Sequence, residues 1–357
     1  MKNGLYLIKN KIPGLSYAFT LNGVELPVLD ITHPLFRSAI NEEKLNEMLK
    51  KSAKTADKTA ERFNKIPLFI KKFLTKRSFI MSELLQENGD RQFLTGLSTL
   101  MLKLGPGLIG KGRKRFLDRL SSGGIGGIVL RMRVRAISNY IAQPMIPLLT
   151  KSPEKNICMI NIAGGAASDS INALFLILAE HPAILSNRII EIHVLDPDNY
   201  GPAFADRCIA ALKAPGNRFC DLNITFNHID YDWNNTEKLK ELLSERKNWI
   251  QLCSSEGGLF EYCSDEVIIQ NLNTLSVHSA DDIIIAGSLV HDIKMVDAGM
   301  IAALKISTSI KPRFLGIEGL TNIIDRNWKI DYLSEGNPRY LIFRLKKRLK
   351  NKPASHF

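Results

Sequence analysis

The spacing of apolar residues changes character near the middle of the chain. Beyond about residue 155 they gather in short, nearly unbroken runs at 156–162, 188–196, 222–230, 248–253 and 282–286. Stretches with helical spacing, such as 171–178, separate these runs. Near-continuous apolar strands alternating with helices predict a parallel sheet covered on both faces. The last runs differ, because 328–333 and 339–344 flank Ser334-Glu-Gly-Asn-Pro338 and predict a hairpin, so the final strand runs antiparallel to its neighbour. Before residue 150 the pattern is mainly helical. Short extended segments within 4–30 lead to a helix opening at Asn41, a capping residue with Glu42 and Glu43 in the first turn. Further helices are expected at 68–75, 79–86, 91–104 and 114–120.

The first run of the second half leads into the most informative turn. Asn156-Ile-Cys-Met-Ile-Asn-Ile-Ala-Gly-Gly-Ala-Ala-Ser168 passes from strand through a glycine pair into the helix beginning near Ile171. Small residues there let a ligand approach the backbone, and the following helix points free N–H groups at it. The second run ends in Asp196, placed to accept hydrogen bonds from ribose hydroxyls. A dinucleotide site normally shows G-x-G-x-x-G with an acid about 20 residues on. This turn has no G-x-G, and Asp196 lies 31 positions after Gly165, which weighs against a nicotinamide cofactor.

Five strand–helix units closed by a hairpin resemble the class I S-adenosylmethionine-dependent methyltransferases over roughly 155–349. The resemblance implies a Rossmann-like, doubly wound α/β fold whose mostly parallel sheet carries an antiparallel terminal hairpin strand, with S-adenosyl-L-methionine as cofactor. It implies cofactor contacts from Asn161, Ala163, Gly164 and Gly165, with Asn161 standing where the family carries an acid and Ala163 and Ala167 where it carries glycines. By the same resemblance Asp196 holds the ribose, Asp230 and Tyr231 contact adenine, and Ser254 and Ser255 lie beside the methyl group. The segment Gly127-Ile-Val-Leu-Arg-Met-Arg-Val-Arg135 resembles the arginine-bearing helix of leucine carboxyl methyltransferases and implies a carboxylate contact from Arg135 or Arg133. Taken by itself, that run also reads as a solvated basic helix face.

Methyl transfer needs a base only when the acceptor loses a proton. Glu256 and Glu261 after the fourth strand and His291 after the fifth are the candidates, because the carboxyl ends of strands face the crevice. The expected division is a mainly helical region over 1–150 forming a lid, a substrate pocket or a homodimer surface, a cofactor-binding core over 151–350, and a disordered tail over 351–357.

Charge is uneven. Residues 1–150 hold 25 Lys and Arg against 11 Asp and Glu, and the remainder 23 against 25. Lys111-Gly-Arg-Lys-Arg115 with the arginines at 131, 133 and 135 would suit a phosphate track, yet few aromatics interleave for base stacking, so an anionic small-molecule substrate or plain solubility ranks above nucleic acid. Gly105-Pro-Gly-Leu-Ile-Gly-Lys111 matches part of a P-loop but has Gly112 where Ser or Thr must ligate magnesium. Five cysteines without a C-x-x-C suggest neither a metal site nor a disulfide framework. No signal-peptide pattern or 18-residue apolar stretch stands out, so the expectation is a cytoplasmic protein without a membrane partner. The competing readings are a nicotinamide-type oxidoreductase and a basic RNA-associated module with a non-catalytic Rossmann-like core.

Overall fold

The computed structural model describes residues 11–75, 78–80, 94–109, 116–307, 311–324 and 327–348. The tail expected at 351–357, the basic segment 111–115 and most of the helix expected at 79–86 lie outside the described residues.

The N-terminal part begins with an antiparallel ribbon of β1 (Tyr17–Phe19) and β2 (Glu25–Pro27), followed by α1 (Pro34–Ser38). In α2 (Glu42–Asn64) the Asn41 side chain accepts from the Lys44 N–H at 2.8 Å, as its capping sequence predicts. Then come α3 (Leu68–Thr75), α4 (Gly96–Leu108), α5 (Phe116–Gly123) and α6 (Ile125–Lys151).

The stretch that partly matched a P-loop is a kink in α4. Gly105 takes φ 75°, and Pro106 has no N–H to give the Leu102 carbonyl one turn back. Arg131 on α6 replaces that donor: its Nη1 donates to Leu102 O at 3.0 Å and to Ser122 O at 2.9 Å, and its Nη2 to Ala39 O at 3.2 Å. Arg131 is therefore a buried bracket for three carbonyls, and burial lowers its pKa to about 10. Arg133 is buried as well, and only Arg135 of the three arginines is exposed. The solvated basic face expected for this helix does not form, because α6 packs against α4 and against the sheet.

The second part alternates β3 (Ile157–Ile162), α7 (Ser168–Glu180), β4 (Ile189–Leu195), α8 (Tyr200–Lys213), β5 (Asn223–Ile229), α9 (Glu237–Glu245) and β6 (Ile250–Glu256). It continues through α10 (Gly258–Tyr262), α11 (Asp265–His278), β7 (Ile284–Val290), α12 (Ala298–Ile306), α13 (Gly316–Ile323), β8 (Trp328–Ser334) and β9 (Tyr340–Lys347). The seven strands lie in the order β5-β4-β3-β6-β7-β9-β8, and β9 alone runs antiparallel to its neighbours. This is the mostly parallel α/β arrangement with a terminal hairpin that the resemblance implies. β3 is central, pairing Ile157 with Ile190 of β4 on one side and Ile250 of β6 on the other. The chain order reverses across β3 and β6, and such a switch point opens a crevice beyond the carboxyl ends of the strands.

Alternate residues of β3 feed different cores. Ile157 and Met159 join the layer that holds α6, α7, α8 and much of the N-terminal part, whereas Cys158, Ile160 and Ile162 join the layer under α9, α11 and α13. Cys158 and Cys253 are core residues, as their strand positions suggest. The first layer runs without a break from Ala18 to Ile342, so the boundary expected at residue 150 falls at the end of a helix that itself covers β6, β7 and β9. Among the described residues no helix is long and apolar enough to cross a membrane.

Candidate active site

The turn after β3 is held by backbone that disfavours side chains. Ala163, Gly165 and Ala167 have φ of 55°, 50° and 49°, so both alanines standing at family glycine positions keep the left-handed conformation that glycine normally supplies. A Cβ built on Gly164 would lie 2.3 Å from the Asn161 Cβ, which leaves no room for any other residue. Asn161 itself does not line the crevice. Its amide donates to Asp169 Oδ1 at 3.0 Å and to Ser254 Oγ, and its carbonyl accepts from Ser170 Oγ at 2.9 Å. It ties β3 to β6 and to the start of α7. Asp169, absent from the sequence-based candidates, is fully buried there, and that burial raises its pKa.

Asp196 stands at the tip of β4, as expected. Its Oδ2 accepts from the Gly165 N–H at 3.0 Å and its Oδ1 from the Asp198 N–H at 2.8 Å. It is 5% exposed, and burial pushes its pKa up to about 6. Gly165 meets two further glycines. A Cβ on Gly96 at the start of α4 would lie 2.4 Å from the Gly165 Cα, and one on Gly201 at the start of α8 would lie 2.8 Å from it. The first turn of α4 therefore sits directly on the glycine turn. The crevice that remains encloses about 90 Å³. Sites for drug-sized ligands enclose about 300–1,000 Å³, so this conformation is closed.

Gly96 provides a test of that closure. Helix propensity alone makes Gly→Ala stabilising by about 1 kcal/mol. The contact with Gly165 reverses the sign, and Gly96→Ala is expected to lower stability by about 1–3 kcal/mol through overpacking. Urea unfolding of the free protein decides, and a raised midpoint would show that α4 does not rest on the turn.

Opposite the glycine turn, four buried charges alternate in sign. Lys103 of α4 donates to Glu256 Oε2 at 2.7 Å, Arg133 Nε to Glu256 Oε1 at 3.2 Å, and Arg133 Nη1 to Glu261 Oε1 at 2.6 Å. The Arg133 guanidinium lies 4.3 Å from the Tyr340 ring centroid. Gly257, with φ 109°, lets the group close, because a Cβ there would meet Glu261 Oε1 at 3.1 Å and Arg133 Nη1 at 3.2 Å. Burial opposes the Arg133 charge, yet Glu261, Tyr340 and Glu256 outweigh it and hold the guanidinium protonated. Burial raises the Glu261 pKa despite Arg133, with Glu256 adding to the rise.

Ala163, Gly164, Gly165, Asp196, Glu256 and Glu261 line the crevice together. Several other expected residues do not. Arg135 is exposed on the far side of α6, and Arg133 takes the inward position. Asp230 is exposed, while Tyr231 is buried with its hydroxyl donating to Asn271 Oδ1 at 2.7 Å; neither lines the crevice, and Trp233 two residues on does. β6 runs through Glu256, so Ser254 and Ser255 pair with Ala286 and Gly287 inside the sheet instead of facing the crevice. His291 is buried with Nε2 3.1 Å from Asn337 O, and it anchors the turn before β9 away from the crevice. Lys103 and Trp233 were not among the expected residues. A lone base inside the apolar run Leu100-Met-Leu-Lys-Leu104 was the signal for the first.

No protein-family model matches the sequence, and no curated protein matches it. Solved structures do. The magnesium protoporphyrin IX methyltransferase of Synechocystis PCC 6803 is 11% identical over 71% of this chain and 94% of its own, with a TM-score of 0.43. A possible exported protein of Bordetella parapertussis is 11% identical over 85% of this chain and 97% of its own, with a TM-score of 0.48. An O-methyltransferase family protein of Burkholderia thailandensis is 12% identical over 62% of this chain and 60% of its own, with a TM-score of 0.38.

Proposed function

We propose that the chain binds S-adenosylmethionine in the crevice beyond β3 and β4 and transfers its methyl group to a small-molecule acceptor. One observation carries this reading: a buried carboxylate, Asp196, touches the backbone of a left-handed turn at the switch point of the sheet. Asp196 has the position and chemistry to accept from two ribose hydroxyls, and Trp233 offers a flat wall beside it. When bound, the sulfonium cofactor supplies a methyl group already activated for transfer. The protein's part is to orient the acceptor and exclude water, which α4 does by closing over the turn. With a hydroxyl or amine acceptor, Glu256 or Glu261 takes the released proton; a carboxylate acceptor releases none. Of the residues expected to act as a base, these two reach the crevice and His291 does not.

Calorimetric titration with S-adenosylmethionine, S-adenosylhomocysteine and NAD tests the reading. Saturable binding of the first two and none of NAD is expected. Binding of NAD alone would overturn it. A core without cofactor is the second reading, favoured by the seating of Gly96 on Gly165. If none of the three bound the parent protein or Gly96→Ala, that second reading would stand.

A further inference from the structure

A second cavity of about 420 Å³ lies behind the charge group, among α2, α4, α6 and α12. Met48, Leu102, Ile125, Met300 and Leu304 give it an aliphatic wall drawn from four helices. Its volume falls within the range of about 300–1,000 Å³ typical of small-molecule sites. It shares Leu94, Leu130, Glu261, Tyr262 and Tyr340 with the crevice, so the two spaces meet at one buried carboxylate.

We propose that this cavity takes the acceptor, and that the acceptor is an uncharged, largely apolar molecule presenting a hydroxyl or amine to Glu261. The inference rests on the methyl-transfer reading for its chemistry, but the cavity's preference stands on charge alone. Among the described residues that line it, Arg339 is the cation, and its Nε and Nη2 already bond both oxygens of Asp297. Arg133, just behind the shared wall, is taken up by Glu256 and Glu261. An anionic acceptor would be buried beside Glu261 with no free cation among the described lining residues to pair with it, at a desolvation cost that no contact from them offsets. A hydroxyl or amine can instead donate to the carboxylate. The aliphatic wall rewards an apolar body by about 25 cal/mol for each Å² buried.

The test uses 2-naphthol and its anionic counterpart 2-naphthoate in fluorescence titrations at neutral pH, on the full chain with S-adenosylhomocysteine present and absent. We expect 2-naphthol to bind at least ~10-fold more tightly, because like-charge juxtaposition penalises the carboxylate. Ala303→Trp on α12 and Ser121→Trp on α5 each project bulk into the cavity from positions that are not fully buried, so the fold should tolerate them. Each is expected to weaken 2-naphthol by ~10-fold or more while leaving S-adenosylhomocysteine affinity unchanged. Naphthoate binding as tightly as naphthol, or naphthol binding indifferent to both substitutions, would overturn the proposal. Absence of S-adenosylhomocysteine binding with the naphthol preference intact would sink the methyl-transfer reading, and with it the acceptor role, while upholding the cavity's preference for an uncharged apolar ligand.

Discussion

Replacing Arg133 with methionine is expected to destabilise the protein by about 3–5 kcal/mol, the range for removing one partner of a buried ion pair. The size follows from the burial of the whole group, since the side chains of Lys103, Arg133, Glu256 and Glu261 are 7%, 3%, 6% and 7% exposed. Without the guanidinium, Glu256 keeps Lys103 but Glu261 faces it as an unpaired like charge. The double variant Arg133→Met, Glu261→Gln removes both charges of one pair and should recover at least half of the loss, because neutral isosteres carry no comparable desolvation penalty. Urea denaturation of the three proteins gives the comparison. A loss below about 1 kcal/mol for the single variant would mean that Glu261 is protonated in the folded protein, leaving Arg133 little to pair with there.

The second large effect is at Asp196. Asp196→Asn should weaken S-adenosylmethionine binding by roughly 10- to 150-fold, the equivalent of 1.5–3 kcal/mol for hydrogen bonds to a charged group. Both carboxylate oxygens accept from backbone N–H groups, so asparagine must turn its amide toward one of those donors. Its effect on the free protein should depend on pH. Burial raises the Asp196 pKa to about 6, above the ~3.9 of an unfolded aspartate, so the folded state holds the proton more tightly between those values. The group's contribution to stability is therefore fully present below about pH 4 and is lost as pH rises through about 6, by an amount on the order of 3 kcal/mol. In Asp196→Asn the fall in stability from pH 4 to 6 should flatten. Cofactor affinity in the parent should fall below about pH 6, where the carboxylate takes up a proton. A parent affinity that is flat from pH 5 to 8 would remove Asp196 from the ribose site.

The parts of this molecule that could be read from sequence are those written in local periodicity. The apolar runs marked β3, β4, β6 and β7 because strands covered on both faces carry mostly apolar residues, and the small residues after Ile162 marked a turn that the dihedral angles confirm. Asp196 was legible because a strand tip is a fixed place in the sheet. The rest depended on contacts between distant segments. Glu256 meets Lys103 across 153 positions and Arg133 across 123, and neither spacing leaves a periodic trace. β6 was read as ending at Cys253 because Ser254 and Ser255 are polar, yet Ser254 is buried by its bond to Asn161 and so extends the strand. The run that holds Arg131 and Arg133 reads as a solvated basic face as readily as a carboxylate contact, because charge runs are usually exposed. Pro106 had created an orphaned carbonyl that only a buried donor from another helix could satisfy, and the kink itself is not visible in an apolar run.

The place of β9 in the sheet also governs how the chain must be built. β9 lies between β7 and β8 although it follows both in sequence. While a ribosome is still translating the stretch between Val290 and Tyr340, β7 has no partner on its outer side, and all seven of its residues are ones that end up buried. At ordinary elongation rates of about 5–20 residues per second that interval lasts on the order of several seconds. During it the nascent chain carries an unpaired, largely apolar strand edge with Ser288 its one polar side chain, the kind of surface that templates association with other chains. Chaperone dependence in the cell should therefore track the synthesis of this final hairpin more closely than that of the earlier strand–helix units, and clearance of stalled products should be most demanding for chains that halt just short of residue 340.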